Sequence, residues 1–322
     1  MFKFITHDNR NAYFNLASEE YLLKHTDGFY IYIWINDPAV IVGVNQNALQ
    51  EVNLGYTNAN GIKVVRRLTG GGAVYHDGGN LCYTVIAPYD DSENNYKKFT
   101  TPVIEYLNSI GVKAEFSGRN DITVDGKKIS GNAQTVYKNR IMHHGTLLFS
   151  TDPERLKNSL NPSKLKMESK GIKSIRSRVT NIKDHLNSPL TIEQFKQGLS
   201  QKLANGAEIC SFSAQDIDKI NQLVAEKYST YEWNIGKSPK GKNRMEEKFP
   251  FGIIEVTFDT ENGKIFNAQI TGDFFSLKDV KLLCEKLNGV PFTKAGIENA
   301  LVDVDQYIVG ADAKKIAQAF FN

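Results

Sequence analysis

Between residues 12 and 24 the apolar side chains Phe14, Leu16, Ala17, Tyr21 and Leu22 return at helical spacing, and Asn11 stands where a helix cap belongs. Two nearly continuous apolar runs follow, 29–35 and 39–44, parted by Asn36-Asp37-Pro38, and they predict strands around a turn. Further strands are expected at 64–67 and 80–86. Residues 96–110 carry a helical pattern that Gly111 stops. Residues 122–129 predict a hairpin, because Asp125-Gly126 favours the tight primed turn, and Lys128 then falls on a strand just past it. A strand at 145–150 and helices at 152–160, 194–203 and 216–228 complete this part. Strands and helices interleave without a repeating βαβ beat, so a mixed or antiparallel sheet flanked by helices is expected.

The pattern breaks at residues 236–248, where Gly236-Lys237-Ser238-Pro239-Lys240-Gly241-Lys242 is polar, basic and rich in breakers. Beyond it, apolar runs at 253–258 and 264–270 flank Asn262-Gly263, which predicts another hairpin, and 277–287 and 313–321 read as amphipathic helices. The fold class is therefore α+β, with a larger part at 1–243 and a small α+β unit at 244–322.

Composition narrows the class. A chain of 322 residues, 41% hydrophobic and 23% charged, can bury a substantial core. No apolar run is long enough to cross a bilayer, and the start Met-Phe-Lys-Phe-Ile-Thr has no signal-peptide pattern. Cys82, Cys210 and Cys284 are scattered and odd in number, which fits neither a disulfide framework nor a zinc site, so a cytoplasmic protein is expected. A formal charge of +3 is too weak to argue for nucleic acid, and none is expected as a partner.

Two glycine-bearing segments carry the chemistry: Arg67-Leu68-Thr69-Gly70-Gly71-Gly72 running to His76-Asp77, and Gly118-Arg119-Asn120-Asp121 running to Lys127-Lys128-Ile129-Ser130-Gly131. Consecutive glycines let backbone N–H groups approach an anion, and nearby Arg and Lys supply charge and forked donors. A site for a carboxylate and a phosphate is indicated. Lys127, one residue before Lys128, should face away. Residues 161–185 form a basic stretch holding Lys164, Lys166, Lys170, Lys173, Arg176, Arg178 and Lys183 against Glu168 and Asp184.

Together with His143-His144-Gly145-Thr146-Leu147-Leu148 and Ser174-Ile175-Arg176-Ser177-Arg178-Val179, these segments resemble the lipoate–protein ligases, from about residue 2 to the C-terminal end. The resemblance implies a catalytic domain like those of biotin ligases, a small accessory domain, and a two-step reaction. Lipoate and ATP would form lipoyl-adenylate and pyrophosphate, and the lipoyl group would pass to a lysine of a carrier domain, either in a 2-oxoacid dehydrogenase acyltransferase subunit or in the glycine-cleavage H protein. It implies that Lys128 contacts both the lipoyl carboxyl and the α-phosphate. Arg67, Thr69, Gly70, Gly71, Gly72, His76, Asn80, Asn120, Asp121, Ser130 and Gly131 would line the lipoate and ATP sites, with Asp121 helping to hold Mg²⁺. Arg176 and Arg178 would belong to a loop that closes over the adenylate and excludes water. Val44 departs from the family, which often has Arg at this place in a Gly-Arg-Asn-Gln segment, so a phosphate contact from here is not expected.

Three alternatives stand against this. A lipoyl or octanoyl transferase of the same fold needs an activated thiolate near the lysine, and Phe116-Ser117 offers none. A biotin ligase would carry a Gly-Arg-Gly-Arg signature, which is absent. An inactive carrier-binding homologue would have no use for Lys128 and the glycine loop.

Overall fold

The computed structural model describes residues 2–90, 95–161, 179–236 and 243–321. Its framework is an eight-stranded sheet built from β1 (Lys3–Ile5), β2 (Tyr30–Ile35), β6 (Asn80–Pro88), β7 (Glu115–Ser117), β8 (Asp121–Val124), β9 (Lys127–Tyr137), β10 (Arg140–Leu148) and β11 (Glu208–Cys210). Across the sheet the order is β11-β1-β2-β6-β10-β9-β8-β7. Strand β1 runs parallel to both neighbours and the other pairs are antiparallel, so the sheet is mixed, as the irregular alternation of elements indicates. A second sheet joins β3 (Ala39–Val42) to β4 (Lys63–Arg66) in parallel and to β5 (Val74–His76) antiparallel.

Helices cover both faces of the large sheet. Helix α1 (Ala12–His25) begins where the Asn11 side chain accepts the Tyr13 N–H, and packs Leu16, Ala17 and Tyr21 against Trp34, Ile41 and Cys82. On the other face lie α2 (Asn95–Ser109) and α3 (Ile192–Leu203), which bury Phe99, Val103, Leu107, Phe195 and Leu199 over Ile33, Tyr83 and Ile141. A Thr191/Gln194 capping box opens α3, and a Ser213/Asp216 box opens α4 (Ala214–Leu223).

The small unit has its own antiparallel sheet, β12 (Asn243–Phe249), β13 (Gly252–Glu261) and β14 (Lys264–Gly272). Helices α5 (Lys281–Leu287), α6 (Lys294–Ala300) and α7 (Ala313–Ala319) cover one face. One hydrophobic cluster consists wholly of residues between Met245 and Ala319. Two sequence expectations change. Part of the polar stretch assigned to a linker is strand β12, whose only buried side chains are Met245 and Phe249, the signature of an edge strand. The helix expected at 277–287 begins only at Lys281.

Two hairpins form as their turn residues require. Asp125 and Gly126 take φ of 49° and 72°, and Asn262 and Gly263 take 50° and 71°, the left-handed pair of a primed turn. Strand β9 then departs from regular pairing. Lys128 lies opposite Thr123 and Ser130 opposite Ile122, which leaves Ile129 as an extra residue. This bulge matters for the site below.

Candidate active site

A cavity of about 150 Å³ opens between the glycine loop, the β8–β9 hairpin and the central strands. Lys128, Asn120 and Gly131 stand at one part of its wall, Gly71 and Gly72 at another, and Leu16, Trp34, Ile41, Val74, His76 and Cys82 elsewhere.

In a regular strand, residues three apart face opposite ways. Lys128 and Gly131 nevertheless both line the cavity, because the extra residue Ile129 shifts the alternation between them. Ile129 itself goes into the core. A Cβ on Gly131 would lie 2.8 Å from Lys128 Nζ, so the lysine lies directly over this glycine. Lys128 Nζ is 2.7 Å from Asp121 Oδ1, and both side chains keep about a third of their surface, 36% and 35%. The Lys128 carbonyl also accepts the Thr180 N–H at 3.0 Å. Lys127 is exposed and does not line the cavity, as the hairpin geometry indicates. Asn120 is clamped to Asn132: Asn120 Nδ2 donates to the Asn132 carbonyl at 2.7 Å, and Asn132 Nδ2 donates to the Asn120 carbonyl at 3.0 Å. Asn132 also accepts Tyr83 Oη–H at 2.5 Å, so its amide is fixed from both sides. Ser130 is fully buried behind the wall, where it accepts from Asn132 Nδ2.

The glycine loop is held from within. Arg67 is 6% exposed, and its guanidinium donates to the Ile41, Gly70 and Gly72 carbonyls and to Thr69 Oγ1. The fork expected to meet an anion thus organises the loop's own carbonyls, and burial lowers the Arg67 pKa to about 10. Thr69 is fully buried at 2.8 Å from His144 Nε2. The Gly71 N–H donates at 3.3 Å to the Phe274 carbonyl of the small unit, while Phe275 forms part of the cavity wall. Arg119 stacks on the Phe275 ring at 4.3 Å and donates to the Phe251 carbonyl. Arg66, next to Arg67, is wholly buried and donates to the Gly43, Val44, Gln46, Trp233 and Asn234 carbonyls. Val44 uses its backbone to hold this loop, since its N–H donates to the Thr69 carbonyl.

Two polar groups of the cavity wall, His76 and Cys82, are uncharged. His76 is 2% exposed, and burial pushes its pKa down to about 3. Asn36 Oδ1 accepts from Asn15 Nδ2, so Asn36 turns its Nδ2 to His76 Nδ1 at 3.1 Å, which leaves the ring proton on Nε2. Cys82 Sγ lies 3.7 Å from His76 Nδ1, yet burial pushes the thiol pKa well above its ordinary value. A thiolate–imidazolium pair needs both shifts reversed. Asn80 is fully buried with Nδ2 on Cys82 Sγ, behind the cavity rather than in its wall.

Sequence reasoning did not single out Trp34, Asn132 or Phe275 as site residues. Asn132 lies one residue past the assigned motif, whereas Trp34 reads as core and Phe275 is brought in from the small unit. Arg176 and Arg178 lie outside the described residues. Among the described residues no group of three or more His, Cys, Asp or Glu side chains could hold a metal ion.

An apolar cavity with a lysine at its wall, beside a glycine loop, has the shape and charge to take an acid with an apolar chain. The model of the lipoyl protein ligase A/B catalytic domain matches residues 11–204, and that of the bacterial lipoate protein ligase C-terminus matches 238–320. Lipoate–protein ligase 1 of Staphylococcus aureus is 45% identical over 311 residues, 95% of each chain. Among solved structures, P. falciparum LipL1 in complex with lipoate superposes with a TM-score of 0.79 at 26% identity, covering 98% of this chain and 97% of that one. A bipartite lipoate protein ligase of Thermoplasma acidophilum, described with its E2 lipoyl domain, gives 0.65 at 28% identity over 75% and 98%. A lipoate-protein ligase A bound with ATP gives 0.64 at 27% over 73% and 98%. The chain belongs to the lipoate–protein ligase family, and is a ligase that joins lipoate to protein at the cost of ATP.

Proposed function

We propose that Lys128 is the catalytic cation of lipoate adenylation in this chain. The observation that carries this is an ammonium about a third exposed at the wall of a largely apolar cavity, where burial keeps His76 and Cys82 uncharged. A lipoate carboxylate oxygen attacks the α-phosphorus of ATP and pyrophosphate leaves. Two anions must meet, and a fixed cation beside both stabilises the charge that develops. The acyl chain lies along Leu16, Trp34, Ile41 and Val74, where burial of apolar surface contributes about 0.8 kcal/mol per methylene. Gly72, Asn120 and Gly131 line the same space, and Thr69, Gly70, Ser130 and Asn80 support it from behind. In the second step a carrier lysine amine attacks the acyl carbonyl and AMP leaves. Water exclusion at that stage is assigned to the segment with Arg176 and Arg178.

Mg²⁺ would accompany the triphosphate. Among the described residues the carboxylate nearest Lys128 is Asp121, already paired with it, which suits an ion held mainly by phosphate oxygens and water. The ion would supply charge neutralisation on the leaving pyrophosphate. We further assign the carrier to lipoyl domains of 2-oxoacid dehydrogenase acyltransferase subunits or to the glycine-cleavage H protein, the catalytic part to 1–243 and the accessory part to 244–322, and the setting to the cytoplasm. The self-contained cluster at residues 245–319 and the three unpaired cysteines support the last two assignments.

Incubating the chain with lipoate and a lipoyl domain should add one lipoyl group to the carrier only when ATP is present, with AMP released. Modification without ATP from a thioester-bound acyl donor would instead mark a transferase.

A further inference from the structure

A buried polar chain runs behind the cavity, and the donor capacity of its ends gives its protons one consistent direction. Trp34 Nε1 can only donate, and lies 2.9 Å from Thr84 Oγ1. Thr84 therefore accepts there and gives its single proton to Glu19 Oε1 at 2.7 Å. From the other side, Arg67 Nε can only donate, and lies 2.9 Å from Thr69 Oγ1. Thr69 gives its proton to His144 Nε2 at 2.8 Å, and His144 Nδ1–H donates to the same Glu19 Oε1 at 2.8 Å. Both branches converge on one carboxylate oxygen. With His144 donating from Nδ1 and accepting at Nε2, Glu19 Oε1 accepts two bonds and every donor in the chain is paired.

Glu19 is 1% exposed, Thr84 and Thr69 are fully buried and Trp34 is 2% exposed. A carboxylate so deeply buried calls for a counter-charge. Arg67 supplies it through Thr69 and His144: burial lowers the Arg67 pKa, and the Glu19 carboxylate opposes that fall. The two ends of the chain do different work. Trp34 is an apolar wall of the cavity, and Arg67 grips the Gly70 and Gly72 carbonyls.

We propose that Glu19 is the positioning residue of this site, setting the indole wall through Thr84 and the glycine loop through His144, Thr69 and Arg67. The proposal rests on the adenylation reading above, and concerns groups that touch neither reacting atom. Its consequence is energetic coupling along the chain. A displacement of the loop by about 1 Å is enough to lower an oriented reaction by about 100-fold. Thr69→Val keeps the shape and removes the hydroxyl, so it should lower kcat for lipoate-dependent ATP–pyrophosphate exchange by about 10- to 100-fold. Glu19→Gln keeps two acceptor contacts but loses the charge, and should fall in the same range.

The test is a double-mutant cycle on that kcat, with Thr69→Ser as the rescue variant. If the chain acts as a unit, Thr69→Val combined with Glu19→Gln loses little more than the worse single variant, and Thr69→Ser retains activity within about threefold of the starting protein. Losses that multiply, or a Thr69→Ser variant as poor as Thr69→Val, would overturn the relay. Circular dichroism melts show which variants are folded. Should Glu19→Gln fail to fold, His144→Gln takes its place in the cycle with the same criterion. A starting protein with no lipoate-dependent exchange would sink the adenylation reading itself, which separates that failure from failure of the relay.

Discussion

Lys128 and Cys82 line the same cavity, and their surroundings differ in the one respect that decides chemistry. Lys128 lies past a tight turn on a bulged strand, keeps about a third of its side chain open and pairs with a carboxylate. Cys82 is 1% exposed near the start of β6, where burial holds its thiol protonated, and the neighbouring His76 is held neutral for the same reason. Lys128 keeps its charge beside water and a counter-ion, whereas His76 and Cys82 have neither and stay neutral. The open side can therefore serve two anions, whereas the closed side can shape an acyl chain but cannot attack it. This difference separates an adenylating ligase from a thioester-forming transferase on the same fold.

The largest expected effect breaks the open side. Lys128→Ala removes charge-assisted contacts worth about 1.5–3 kcal/mol each, so adenylate formation should slow by roughly 10- to 10⁴-fold, with the melting curve little changed. Lys127→Ala, on the exposed face of the same strand, should cost less than about threefold, and radiolabelled AMP transfer reads both.

Acid acts on the buried histidines, of which His76 belongs to the closed side. Burial lowers the pKa of His76 and His143 to about 3 and that of His7 to about 4, from 6.5. Each folded value lies below the unfolded one, so as pH falls the unfolded chain takes up protons first. Stability is whole above about pH 6.5 and declines from there toward pH 4, by up to about 1.4 kcal/mol per pH unit for each histidine. Urea unfolding at pH 7 and pH 5 measures the loss. His143→Gln should flatten the slope by about one proton, and an unchanged slope would remove His143 from this account.

A smaller effect sharpens the boundary between the two sides. Phe275 comes from the small unit, is 6% exposed and lies under Arg119. Phe275→Ala should raise the lipoate KM about 10-fold, from lost apolar burial of about 1.5 kcal/mol, and leave kcat within about threefold. Calorimetric binding of lipoate checks the same figure.

What could be read from the sequence follows the range of the forces involved. The Asp125-Gly126 hairpin and the Asn11 cap are local chemistry and were legible. So was Lys128, because the turn that carries it is local. The Thr191 and Ser213 capping boxes were not singled out, and they start their helices at Ile192 and Ala214, two residues ahead of the expected 194 and 216. Strand β10 was foreseen only from residue 145, since Arg140 through Gly145 is buried on both faces and shows no alternation. Strand β11 is three residues paired with a strand some two hundred positions away, and carries no pattern of its own. The part played by Arg67 was hidden for another reason. The residue was named, but only the folded loop shows its fork turned inward to Gly70 and Gly72.

Lipoate-dependent ATP–pyrophosphate exchange, measured side by side on Lys128→Ala and Cys82→Ser, tests the contrast most directly. The account expects exchange to collapse in the first and to stay within about twofold of the starting protein in the second. Near-normal exchange in Lys128→Ala, or loss of carrier lipoylation in a folded Cys82→Ser together with an acyl-thioester trapped on the starting protein, would contradict it.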